Sequence, residues 1–233
     1  MTVEEYKARV ASARNIVFFG GAGVSTESGI PDFRSVDGLY NQKYDEPPEV
    51  ILSADYFYAH TDLFYKFYFD KMIYKSAMPN AAHKKLAQWE NEGKLLAVIT
   101  QNIDGLHQAA GSKNVFELHG TTLSNHCIRC GKQYTLDEIC RHAPDVPKCS
   151  CGGVIKPDVV LYGEALPEKA VYGAVDAIRK ADLLIVGGTS LSVYPAASYV
   201  GYFRGNKDNL IVINKTHIEG YANQLNGKLG ELL

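Results

Sequence analysis

A short apolar run that ends in closely spaced glycines constrains this chain more than any other feature. Ile16-Val17-Phe18-Phe19 is rich in β-formers and reads as a buried strand. Gly21-Ala22-Gly23 follows at once and lets the backbone turn tightly and approach a ligand. A strand feeding such a loop predicts a pyrophosphate held on backbone N–H groups at a helix start. The continuation then departs from the dinucleotide pattern. Thr26 stands where G-x-G-x-x-G would place its third glycine, and Gly29 and Pro31 bar a regular helix. The expected acid on a second strand about 20 residues on is missing, because that region reads as loop. Asp32, Phe33 and Arg34 stand there instead, placed to reach back over a bound nucleotide.

Further apolar strands are expected over residues 95–100, 115–118, 183–187 and 210–213, with helices over 81–92 and 167–181 between them. That alternation predicts an α/β fold, a Rossmann-type doubly wound parallel sheet. Two stretches break the rhythm. Residues 38–78 hold 11 of the chain's 15 tyrosines and 9 phenylalanines taken together, and read as a helical insert, a lid. Residues 122–154 contain every cysteine and little else to build a core. The expected domains are 1–37 with 79–121 and 155–233 for the nucleotide-binding part, 38–78 for the lid, and 122–154 for a cysteine module.

In that module Cys127-x-x-Cys130 is followed, after 18 intervening residues, by Cys149-x-Cys151. Two close thiolate pairs suit a tetrahedral structural zinc, with no open position for chemistry. Cys140, in "TLDEIC", is assigned to the core, and His126 to the surface rather than to the metal. A net charge of −2 argues against direct binding of nucleic acid or an anionic membrane surface. The first residues have no apolar core of a signal peptide, and Thr2 with Glu5 reads as a helix capping box. No run approaches the roughly 20 apolar residues of a membrane span. A cytoplasmic location is therefore expected, and a monomer is compatible with all of it.

Polar segments follow the other strands, where open α/β sheets bind ligands. Gln101, Asn102 and Asp104 in "TQNIDGLH" offer amides and a carboxylate suited to ribose hydroxyls and a carboxamide. His119 in "ELHG" is a candidate general base at the mouth of a nucleotide crevice. "GGTSLSVYPA", residues 187–196, supplies hydroxyls for phosphate or ribose.

With "GAGVSTESGIPDFRS", "TQNIDGLH", "LHG", the two cysteine pairs, "KPDVVLYGE", "GTSLSVYPA" and "VIN" in this order, the chain resembles the sirtuins over nearly its whole length. The sirtuins are NAD-dependent protein deacylases. The resemblance implies a Rossmann-type domain, a small zinc-ribbon domain, and a cleft between them for NAD and an acyl-lysine peptide. It implies that NAD is cut rather than used as a hydride carrier, under a mobile loop from Thr26 to Ser35. Ala22, Thr26, Phe33 and Arg34 would touch NAD, and Gln101 the nicotinamide ribose. Asn102, Ile103 and Asp104 would form the nicotinamide pocket, with Asp104 on the carboxamide. Thr189, Ser190 and Asn214 would line the phosphate and adenosine side. The acyl oxygen would capture the ribose, with His119, beside Asn102 in the catalytic set, as base on a ribose hydroxyl. The peptide would pair with Val159, Val160, Leu161, Tyr162 and Gly163 on one side, and with Ser190, Leu191, Ser192 and Val193 on the other.

Two departures from the family pattern bear on specificity. Relatives that prefer succinyl or malonyl groups carry Tyr-x-x-Arg in the lid, where this chain has Tyr65-x-x-Tyr68. Lys66 and Lys71 are expected to point away from that face, so acetyl or apolar acyl groups are favoured. The tail after residue 214 is short and is expected to lack the last strand that shapes the adenine pocket. Protein mono-ADP-ribosyl transfer and a silent NAD-sensing module stand as the alternatives.

Overall fold

The computed structural model describes residues 1–33, 38 and 46–233. Helix α1 (Val3–Ser12) opens with the expected capping box: Thr2 accepts from the Glu5 N–H, and the Glu5 carboxylate accepts from the Thr2 N–H. Strand β1 (Ile16–Gly20) is buried at every position, as its unbroken apolar run requires of a strand covered on both faces. It pairs in parallel with β2 (Leu95–Thr100) and with β7 (Leu183–Gly187). The sheet is completed by β3 (Val115–Glu117), β8 (Leu210–Asn214) and β9 (Gln224–Asn226), in the order β3-β2-β1-β7-β8-β9, parallel throughout. The order reverses between β1 and β7, so the switch point lies at Gly20 and Gly187, where a ligand crevice is expected.

Each face of the sheet carries a core. One packs α1 and α5 (Ala81–Asn91) through Tyr6, Leu86 and Trp89 onto Phe18 and Ile185. The other packs α8 (Glu168–Lys180) through Ala174 and Ile178 onto Val17 and Val186. Pro167 caps α8 rather than occupying its first turn.

The lid helices α2 (Pro48–Ile51), α3 (Ala54–Ala59) and α4 (Thr61–Lys71) do not form a core of their own. Phe57, Phe64, Tyr65 and Tyr68 pack against Ile139 and Ile155 of the cysteine module. That module is a three-stranded antiparallel sheet, β5-β4-β6, from β4 (Gly120–Cys127), β5 (Gln133–Thr135) and β6 (Ile155–Val159), with α7 (Leu136–Cys140) beside it. Cys140 is partly exposed rather than a core residue.

Two expectations need correction. The glycine loop does not start an α-helix; it makes two single 3₁₀ turns, Ala22–Val24 and Thr26–Ser28, ended by Gly29 at φ 84°. The tail does supply a last strand, β9, with the short helix α9 (Leu229–Leu232) after it. Its polar neighbours hid it: Gln224 is buried only because its side-chain amide bonds the Ile218 and Tyr221 carbonyls and the Ile218 N–H.

Candidate active site

The C-terminal ends of β1, β2 and β7 open onto a single cleft of about 740 Å³ between the large sheet and the lid–cysteine half. Its floor is made by close approach of two loops. A side chain on Gly23 would meet Gly188 at 2.7 Å, and one on Gly21 would meet Thr189 at 2.8 Å. The Gly23 N–H donates to Gly188 O at 2.8 Å and the Gly21 N–H to Gly187 O at 3.2 Å. These glycines therefore lock loop to loop, and those two N–H groups are already engaged.

A polar chain lies along the cleft. Ser25, which sequence reasoning did not nominate, is its hub. The Ser25 hydroxyl donates to Asp104 Oδ2 at 2.6 Å and accepts from Asn102 Nδ2 at 3.0 Å, with Ser25 and Asn102 both buried. Asp104 Oδ1 accepts the Leu106 N–H at 2.9 Å, so the carboxylate starts α6 (Leu106–Ala109). The only sequence signal for Ser25 was a small hydroxyl just beyond the glycines. The Asn80 side chain, N-cap of α5, donates to Val24 O and Ser28 Oγ at 2.8 and 3.0 Å and ties this loop to the body.

His119 Nδ1 sits 3.0 Å from Gln101 O. A carbonyl can only accept, so Nδ1 carries the proton and Nε2 keeps its lone pair. Burial pushes the His119 imidazole below its ordinary value, and the bond to Gln101 offsets this only in part. At neutral pH the ring is uncharged, as a proton acceptor must be. Gln101 Nε2 donates to Thr189 Oγ1 at 3.1 Å, and Asn214 Nδ2 to Thr189 O at 3.2 Å. Thr26 Oγ1 turns back to Gly23 O at 3.1 Å.

The cleft is lined by Ala22, Thr26, Asp32, Phe33, Gln101, Asn102, Ile103, Asp104, His119, Thr189, Ser190 and Asn214 as anticipated, and by Val159 to Gly163 and Val193. Arg34 lies outside the described residues. Leu191 and Ser192 do not line it: Leu191, at φ 53°, packs toward the α8 core, and Ser192 Oγ bonds Ser190 Oγ at 2.5 Å. The lid differs from expectation too. Tyr65 and Tyr68 are walled into the shared core, with the Tyr65 hydroxyl on Ile155 O, while Lys71 and Lys75 line the cleft. The helix face of Tyr65 is the core face, while Lys71 in the last turn of α4 and Lys75 just beyond it stand at the opening. Lys71 pairs with Asp70 at 3.0 Å and Lys75 with Asp137 at 2.5 Å.

On the far side, the Sγ atoms of Cys127, Cys130, Cys149 and Cys151 all lie within 4.8 Å of one another. Cys127 to Cys151 is 3.5 Å and Cys130 to Cys149 is 3.6 Å. A tetrahedral zinc with Zn–S bonds of about 2.3 Å needs edges of about 3.8 Å, so the cradle fits. A Cβ on Gly153 would touch Cys127 Sγ at 2.6 Å, so the knuckle leaves no room for a larger residue. His126 stays off this cluster and pairs with Asp158 at 2.5 Å.

These features define an α/β nucleotide-site protein with a uncharged histidine and an amide–carboxylate set in one cleft, and a closed four-thiolate metal module beside it. The Sir2 family model matches residues 21–195. The chain belongs to the Sir2 family. The NAD-dependent protein deacetylase of Clostridium acetobutylicum is 57% identical over 217 residues, 92% of this chain and 88% of that protein. The protein of the same description from Clostridium perfringens is 50% identical over 238 residues, 99% and 96% of the two chains. Among solved structures, Sir2 with a peptide and NAD+ superposes with a TM-score of 0.86 at 38% identity, covering 99% of this chain and 95% of that one. Sir2 bound to acetylated peptide gives 0.85 at 37%, with the same coverage.

Proposed function

We propose that this chain is an NAD-dependent protein-lysine deacetylase, converting NAD, acetyl-lysine and water to nicotinamide, O-acetyl-ADP-ribose and lysine. The observation that carries the reading is His119, uncharged and fixed through Nδ1, in the same cleft as the Asp104–Ser25–Asn102 chain. Asp104 receives the carboxamide of NAD, and Ser25 keeps its carboxylate and the Asn102 amide in fixed positions. Gln101, held by Thr189, and Asn214 order the ribose and phosphate side, with Ala22, Thr26, Asp32, Phe33 and Ser190. His119 Nε2 accepts the proton of a ribose hydroxyl, which turns that oxygen into the nucleophile that releases the amine. The four cysteines hold a structural zinc that supplies folding energy and no chemistry.

The acyl-lysine peptide adds as a strand between residues 159–163 and the turn that brings Ser190 and Val193 to the cleft. On the first side, the Val160 N–H is engaged by His119 O, and the Tyr162 N–H and O by Leu52 and Ala54. The Gly163 N–H has no hydrogen bond among the described residues and is the group offered to the peptide. No helix of the described residues is long and apolar enough to cross a membrane; the cytoplasm as the place of action is supported by the clustered thiols, which a reducing compartment keeps free to bind metal. Mass spectrometry of NAD incubated with acetyl-, succinyl- and myristoyl-lysine peptides tests the reading. Nicotinamide release that requires an acylated peptide supports it. Nicotinamide release with ADP-ribose attached to protein, or no NAD cleavage at all, overturns it.

A further inference from the structure

Among the described residues Lys156 is the only buried Lys or Arg. It lies in β6, immediately before the segment that runs along the cleft. Its ammonium donates to Glu164 Oε2 at 3.1 Å, to Val159 O at 3.2 Å and to Pro157 O at 3.4 Å, which uses all three donors. The same Glu164 oxygen accepts the Leu161 N–H at 2.9 Å. The Phe57 ring of the lid stands 6.0 Å from the ammonium. Residues 157–164 are thus wrapped around one buried cation.

A buried ion pair is a weak source of stability, because desolvating both charges offsets their attraction. The geometry of this one has another consequence. The segment it shapes touches three bodies at once: the Val160 N–H meets His119 O at 2.9 Å, and Tyr162 bridges to Leu52 and Ala54 at 2.9 and 3.0 Å. Its start is strand β6 of the cysteine module, paired with β4. Without the Lys156–Glu164 pair, the Val159 carbonyl and the Leu161 N–H lose these partners, and the segment is left with the Val160 N–H bond to His119 O, the Glu164 N–H bond to Leu161 O and the Tyr162 bridges.

We propose that Lys156 and Glu164 are positioning residues for the acyl-lysine substrate: their ion pair holds the 160–163 edge in the shape that receives the peptide. The proposal rests on the deacetylase reading above. In Lys156→Met and Glu164→Ala, KM for an acetyl-lysine peptide should rise ~10-fold or more while KM for NAD and kcat at saturating peptide change by less than ~3-fold. Lys156→Arg, which keeps the charge and the donors, should restore the peptide KM. Amide exchange at Val160 and Leu161 should quicken ~10-fold in both disrupting variants, whatever the reaction catalysed. Should Lys156→Met fail to fold, as read by circular dichroism and zinc content, Glu164→Ala decides alone, since that carboxylate is partly exposed. An unchanged peptide KM in a folded, active variant overturns the proposal, as does a loss confined to kcat. A wild-type protein with fast-exchanging variants but no activity on any acyl-lysine peptide overturns the deacetylase reading instead, and the peptide role with it.

Discussion

In the sheet half, all five residues of β1 and all five of β7 are buried, and apolar layers cover both faces. In the lid–cysteine half, β5 is three residues long with two of them exposed, and the core is a cluster of rings, with Phe64 stacked on Tyr68 at 5.5 Å. The first half has enough aliphatic area to fold by burial. The second brings aromatic helices from one part of the chain against a small sheet from another, with four thiols placed to hold a metal at the end of that sheet. The difference teaches where each half should fail: the first through its packing and buried titratable groups, the second through its metal.

The largest expected effect separates the halves outright. Cys127→Ala or Cys149→Ala should remove about one zinc per chain, and with it folding energy on the order of 10 kcal/mol. Amide exchange should then show lost protection in β4, β6 and α4, with β1 and β7 still protected. Simultaneous loss in β1 and β7 would mean that the halves form one cooperative unit. Cys140→Ala should keep the metal, because its sulfur is outside the four-thiolate cluster.

His119→Ala belongs to the cleft between the halves and should lower kcat by roughly 100-fold or more with little change in melting temperature. Turnover within a few-fold of wild type would remove His119 as the base.

The next effect is confined to the sheet half. The rings of His83, in α5, and His107, in α6, meet at a tilt with centroids 4.6 Å apart, and burial lowers them to about 4 and about 3. The unfolded chain titrates near 6.5, so above that pH neither state is charged and the pair contributes no slope. Below it the unfolded chain takes up protons that the folded protein refuses, so stability should fall from pH 6.5 toward 4. The slope is at most about 1.4 kcal/mol per pH unit for each histidine. Denaturant midpoints at pH 7, 6 and 5 measure it, and His107→Gln should lose about half the slope. An identical slope in that variant would place the acid sensitivity elsewhere.

The smallest effect tests a single cap. Thr2→Ala removes the α1 capping box and should cost about 1 kcal/mol in a urea melt, with the zinc content unchanged.

Sequence made the sheet half legible because its signals are local: apolar runs of four or five residues, each followed by a turn. The zinc cradle was equally plain in the spacing of its thiols. What stayed hidden depended on contacts between distant segments. Ser25 gains its meaning only when Asp104 and Asn102, some 79 and 77 positions away, come to it. β9 carries a buried glutamine whose partners lie three and six residues back. Tyr65 and Tyr68 were matched to the family's acyl-selecting position by resemblance alone, yet which face of α4 meets the cysteine module is a tertiary fact. The same shift brings Lys71 and Lys75 to the cleft, so a test of succinyl against acetyl peptides belongs with Lys71→Met rather than with an arginine forced into the Tyr68 core.

The shared core of lid and cysteine module bears on how such a protein can be recombined. Phe57, Phe64 and Tyr65 come from before α5, and Ile139 and Ile155 from after β3, so the smaller half is not a cassette. A chimera that exchanges only residues 120–159 would set one parent's rings against another parent's sheet, and would separate Lys156 from the Glu164 it was shaped around. Grafting substrate preference from a relative therefore requires moving two stretches together, the lid and the segment from β4 through Glu164, with the parallel sheet left as the chassis between them.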